Sequence, residues 1–151
     1  MSGVPATEAP LPRTTPQLRT ALTLLRVGTA SLFIAHAAVR VLTAGSLQQF
    51  GEFMTRTGVP AGVAVVWMIT VFELVGGSLM LLGIGTRVLA AGFIGMLIVG
   101  IALIHRHFGW FVGEHGTGGS EYSVALMFAL VVIAAADASG ADRRVWPRRA
   151  A

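Results

Sequence analysis

Residues 61–104 read AGVAVVWMITVFELVGGSLMLLGIGTRVLAAGFIGMLIVGIALI, and they decide the fold. Two apolar runs, each long enough to cross the roughly 30 Å of a bilayer's hydrocarbon as a helix, flank Gly83-Ile84-Gly85-Thr86-Arg87. Glycines and a Thr-Arg pair in so short a link predict a tight turn, with Thr86 expected to cap the following helix. The spans are expected over 61–82 and from this turn to about Ile104. Within the first of them stands one carboxylate, Glu73, followed three and four positions later by Gly76 and Gly77. A titratable group at membrane depth is costly unless it faces a bundle interior and finds a partner. Small residues beside it let a neighbouring helix approach closely.

Working outward, an apolar stretch from Leu18 to Ala44 and another from Glu121 to Asp137 complete four spans. The composition agrees: mean hydropathy is +0.75, 54% of residues are hydrophobic and 12% are charged, about half the charge of a soluble domain. The expected fold is therefore all-α, an integral membrane four-helix bundle. Residues 1–17, with four prolines among Thr, Ala and Ser, read as a disordered tail. Residues 18–138 hold the four spans, and 139–151 form a basic tail. Ala35-His36-Ala37 resembles a signal-peptidase site, but Arg26 breaks the apolar region before it, so the segment is expected to stay attached.

Between the first two spans, Leu47, Phe50 and Met54 recur three and four apart among Gln48, Gln49, Glu52 and Arg56. This spacing predicts a short amphipathic helix on the membrane surface. The connection from His105 to Ser120 is rich in glycine and carries Trp110 and Phe111, which suit the headgroup interface. Arg13, Arg19, Arg87 and four tail arginines fall on one side, Arg56 and Arg106 on the other. The positive-inside rule then places both termini in the cytoplasm. The arginines are spread over helix ends rather than gathered on a face with aromatics, so no nucleic-acid partner is expected despite a pI near 11.4.

The chain has no cysteine, which excludes disulfides, thiolate metal ligands, Fe–S clusters and dithiol chemistry by the chain itself. Any redox role has to borrow its electron carrier. His36 and Arg40 share one helix face, a turn apart, and Arg26 lies about 15 Å deeper. Arg26 and Arg40 read either as snorkelling side chains or as members of a polar site. His36 reads either as a satisfied core histidine or as a group facing that site. Glu73 reads either as half of an ion pair that fixes register or as a proton-exchanging acid. His105 and Glu121 are expected at the same outer level as His36 and Arg40, though the helix dipole alone also accounts for Glu121. His105 and His107 do not share a face at their spacing, so no metal site is expected.

The set Arg26, Phe33, His36, Phe50, Pro60, Glu73 with Gly76-Gly77, Leu81, Gly83 with Thr86-Arg87, and Gly119-Ser120-Glu121-Tyr122 resembles the signature of the DoxX family. The resemblance runs over about residues 20 to 138, with Ala37 standing where family members often have glycine. It implies a small four-helix protein of the bacterial cytoplasmic membrane. Family members are commonly described as membrane oxidoreductase components, and the related DoxD is linked to a thiosulfate:quinone oxidoreductase. The resemblance implies a quinone site: His36 and Glu73 exchanging protons with the ring oxygens, Arg40 stabilising a developing anionic oxygen, and His105 and Glu121 completing the pocket. Haem between His36 and His105 is a minor alternative. A partner protein, as part of a larger membrane complex, or a diffusible reductant supplies the electrons in this reading. The competing expectation is a non-catalytic subunit or assembly factor whose polar cluster only fixes the bundle and whose loop docks a partner; solute transport ranks below both.

Overall fold

The computed structural model describes residues 15–113 and 118–138. The expected tails, apart from Thr15 to Gln17, lie outside the described residues, as do Arg13 and the four arginines after 140. Five α-helices succeed one another: α1 (Pro16–Leu42), α2 (Ser46–Arg56), α3 (Gly62–Leu81), α4 (Thr86–Leu103) and α5 (Glu121–Ala138), with a 3-10 turn at His105–Phe108 between the last two. No strand occurs among the described residues. Helices α1, α3, α4 and α5 are each long and apolar enough to cross a membrane; α2 is a short helix at the expected place, but its apolar residues Phe50 and Met54 turn into the bundle cavity instead of lying on the membrane surface.

Helix α1 starts two residues before the expected Leu18. Thr15 caps it, its Oγ1 accepting the Leu18 N–H at 3.3 Å. Pro16 stands in the first turn, where its missing N–H leaves nothing unpaired and its fixed φ suits the helix. A proline-rich segment argues against a helix, yet its last proline begins one. Helix α4 departs from expectation in the other sense. Its N-cap is Gly85, at φ +61, and Thr86 is already helical; the Thr86 hydroxyl is buried and has no hydrogen-bond partner among the described residues. The turn needs a left-handed residue before the helix, so the cap position falls on glycine and the threonine comes one place too late to cap.

The helices pack as a ring in the order α1, α3, α4, α5. Its core is a cluster of Ala30, Phe33, Met80, Ala90, Phe93 and Leu130. Phe93 is fully buried, stacked on Phe33 with ring centroids 4.1 Å apart and tilted against Phe72 at 4.6 Å. The two adjacent glycines of α3 serve different neighbours. A methyl group at Gly77 would stand 2.8 Å from Ile34 Cγ1 of α1, whereas one at Gly76 would meet Leu89, Phe72 and Phe93 at 3.4 Å. Gly77 therefore sets how closely α1 lies on α3.

At the end of the bundle far from the α3–α4 turn, α2 is clamped to the start of α3. A methyl at Gly62 would collide with the Gly51 carbonyl oxygen and stand 2.6 Å from Thr55 Oγ1. The Gly62 N–H donates to that hydroxyl at 3.2 Å. The close approach is reached through Ala61 in the left-handed region, at φ 53. At the opposite end Arg26, 4% exposed, donates through Nη1 to the carbonyls of Met80 and Leu81 at 2.7 and 2.9 Å. Arg26 thus adds a charged donor to the last carbonyls of α3, of which Met80 also accepts the Gly83 N–H of the turn. It is held inside the bundle rather than snorkelling.

Candidate functional site

Between the helices, in the half that carries α2 and the 3-10 turn, lies a cavity of about 900 Å³. Its walls are largely apolar, with Phe33, Met54, Phe72 and Met96 among them. The polar side is built from α1 and α3. Successive inward positions of α1 bring Phe33, His36 and Arg40 to one stripe, and Thr70 and Glu73 occupy the facing turn of α3. Arg40 Nη1 donates to Glu73 Oε2 at 2.6 Å and to Thr70 Oγ1 at 2.9 Å. Thr70 in turn donates to the Val66 carbonyl at 2.7 Å. Arg40 is 8% exposed and Glu73 3%, so the ion pair is buried. Phe50 of α2 covers it, its ring centroid 5.3 Å from Arg40 Cζ. A cation held against an aromatic face gains from the ring quadrupole, most when water is excluded.

This geometry divides the labour among the residues. Glu73 is engaged by a guanidinium and makes no other hydrogen bond among the described residues. Arg40 spends one nitrogen on both Thr70 and Glu73, and its other guanidinium nitrogens make no hydrogen bond among the described residues. His36 lines the cavity without a hydrogen bond of its own among these residues, on the wall that carries Arg40 and Glu73. His105 stands on the same cavity from the α4 side.

Glu121 is placed differently. Its Oε1 accepts the Val112 N–H at 2.9 Å, and its own N–H donates to the Trp110 carbonyl at 2.9 Å. It pins the loop to the start of α5, while Gly119, Tyr122 and Ser123 beside it reach the cavity wall. Gly119 is where that loop lies close, since a methyl there would overlap the Trp110 and Phe111 carbonyl oxygens. His107 accepts from Arg106 Nε at 3.3 Å on the exposed surface, and no group of metal-ligating residues occurs among the described residues. Thr70 is a member of the site that sequence reasoning misses. Its only signal there is a hydroxyl one turn before Glu73 in an otherwise apolar run.

Four apolar membrane-crossing helices around a cavity with a buried ion pair define a small integral membrane protein of four-helix type. The DoxX family model matches residues 21–106, more than half of the chain, and the chain belongs to the DoxX family. The match covers α1 to α4 and the start of the 3-10 turn; α5 lies beyond it. Nothing among curated proteins or solved structures matches the chain significantly.

Proposed function

We propose that this protein is the membrane subunit of a quinone-linked oxidoreductase system of the bacterial cytoplasmic membrane, with the quinone ring held in the cavity. The observation that carries this reading is the placement of Arg40, Glu73 and His36 on one wall of a largely apolar chamber inside the membrane-spanning bundle. Arg40 and Glu73 neutralise one another, so the chamber offers hydrogen bonds without net charge. That suits a neutral, lipid-soluble molecule and disfavours an anionic donor such as thiosulfate, whose charge would go unpaired.

The residues present fit a quinone. The uncommitted nitrogens of Arg40 supply donors for a ring oxygen, and the apolar wall of Phe33, Phe72 and Met96 accepts the ring. A quinone supplies electron acceptance with uptake of protons at its oxygens. His36, titratable and without a hydrogen-bond partner among the described residues, is the group placed to exchange those protons. Glu73 is a positioning residue that orients Arg40. This chain contributes no thiolate for an Fe–S cluster or a dithiol, and the electrons come from a partner protein or a diffusible reductant.

The test is equilibrium binding of a short-chain quinone to the full chain in nanodiscs, followed by quinone-dependent turnover of the membrane complex normalised to assembled protein. His36→Gln is expected to keep the fold and assembly while losing turnover. The ion pair also favours a second reading, a non-catalytic docking subunit whose Arg40–Glu73 pair only fixes helix register. Absence of quinone binding together with unchanged normalised turnover in His36→Gln would establish that reading instead.

A further inference from the structure

On the outer surface of α3 a second depression runs along the seam with α4. Val71, Val75 and Leu79 line it from α3 and Leu89 from α4, with Trp67 at its upper end. These α3 positions recur at four-residue spacing, so they make one stripe running along the helix, and Trp67 to Leu79 spans about 18 Å. Met68 and Phe72 belong to both this groove and the polar cavity. The two chambers are therefore separated by these two side chains. Phe72 is lodged: a methyl at Gly92 would stand 2.8 Å from its Cζ, so its tip fills the notch that glycine leaves in α4. Met68 is 65% exposed, and its unbranched, flexible side chain is the movable part of the partition.

We propose that the groove holds the isoprenoid tail of the lipid whose ring occupies the cavity, the tail leaving past Met68 and running down the α3–α4 seam through the bilayer centre toward the end that carries the α3–α4 turn. The inference rests on the quinone reading above. The groove's course fits an extended hydrocarbon chain, because it begins at the level of the polar chamber and continues along the helix. A second helix is a poor occupant. Helix seams in lipid are made where small residues let backbones approach, whereas the exposed side chains here are Trp67, Val71 and Val75 of the stripe and Met68 beside it, with Gly76 buried beneath. Lipid tails are as apolar as the groove, so it adds little affinity. Its contribution is direction: it fixes which way the ring enters and how it is turned relative to Arg40 and His36.

Location is therefore what has to be measured. Two photoreactive ubiquinone analogues, one with a diazirine partway along the tail and one with an azide on the ring, are crosslinked to the full chain in nanodiscs. Adducts are mapped with and without excess unlabelled ubiquinone. The tail probe is expected to label Val71, Val75, Leu79 or Leu89, competed by ubiquinone. Val75→Trp should abolish that labelling while ring-probe adducts in the cavity persist. Competable tail adducts confined to α1 or α5 would overturn the proposal, as would groove adducts that ubiquinone does not displace, which would mean bulk lipid. Ring-probe adducts absent from the cavity would overturn the quinone reading itself, and the tail site with it.

Discussion

Arg40 Nη1 lies 2.6 Å from Glu73 Oε2, joining the distal half of α1 to the middle of α3 beneath the Phe50 ring. Breaking such a buried pair from one side leaves a charge without compensation, which costs about 3–5 kcal/mol. Arg40→Ala and Glu73→Ala should each sharply lower the thermal unfolding temperature of the protein in mild detergent. The double replacement Arg40→Met with Glu73→Met should recover most of the loss, because no unpaired charge remains. A double variant no more stable than the singles would show that the pair is not what links these helices.

The start of α3 offers a paired test at neighbouring positions. Ala61 holds a left-handed conformation at φ 53 without the freedom of glycine, a strain on the order of 1 kcal/mol or more. Ala61→Gly should relieve it and leave stability unchanged or raised. Gly62→Ala should do the reverse, since its methyl would collide with the Gly51 carbonyl, which is backbone and has nowhere to go. Limited proteolysis within 45–60 reads the outcome directly: faster cleavage is expected for Gly62→Ala alone.

At the other end, Arg26 ties α1 to the last carbonyls of α3. Hydrogen bonds from charged donors contribute about 1.5–3 kcal/mol each. Arg26→Leu should therefore destabilise the protein and expose the 82–86 turn. Hydrogen exchange at the Gly83 and Ile84 amides, which donate to the Met80 and Leu79 carbonyls, should accelerate. Unchanged exchange would mean that the turn holds without Arg26.

Much of this architecture is legible in the sequence because bilayer length and apolarity are one-dimensional properties. Four spans, the amphipathic α2 and the Gly-rich turn each announce themselves within a short window. The inward stripe of α1 is legible too, since 36 and 40 repeat at helical spacing. The partners that the inward groups choose are not. Arg26 has two readings of equal standing until the end of α3 is set beside it, 54 residues away. Glu73 reads as a pair or as an acid, and the neighbours it meets are Arg40, on another helix, and, through Arg40, Thr70, a hydroxyl one turn away in an apolar run. Thr86 looks like a cap because cap chemistry and turn chemistry overlap in sequence, and only the backbone shows that Gly85 takes the position.

Glu121 reaches the loop rather than the cavity, and its loss should be felt locally. Glu121→Ala removes the acceptor for the Val112 N–H and a carboxylate at the start of α5, an effect of about 1 kcal/mol or less at a helix end. Hydrogen exchange at Val112 should speed up, while binding of a short-chain quinone stays close to wild type. Glu121→Gln keeps an acceptor oxygen and should restore most of the Val112 protection. A large loss of quinone binding in Glu121→Gln would instead bring this carboxylate into the ligand's surroundings.

The last prediction fixes which leaflet the cavity faces. The start of α1 and the α3–α4 turn share one end of the bundle, and Arg19 and Arg87 mark that end; Arg56 and Arg106 mark the other, where the cavity lies. The arginine bias in the whole sequence, carried by Arg13 and the four arginines after 140, points the first end to the cytoplasm. The chain has no cysteine, so single cysteines report position without background. His107→Cys and Ile84→Cys both fall at exposed side chains, one at each end. In sealed right-side-out vesicles a membrane-impermeant maleimide should modify His107→Cys at once and Ile84→Cys only after permeabilisation. The reverse pattern would turn the molecule over, put the Arg40–Glu73 chamber in the cytoplasmic half, and require any proton exchanged at His36 to come from the cytoplasmic side.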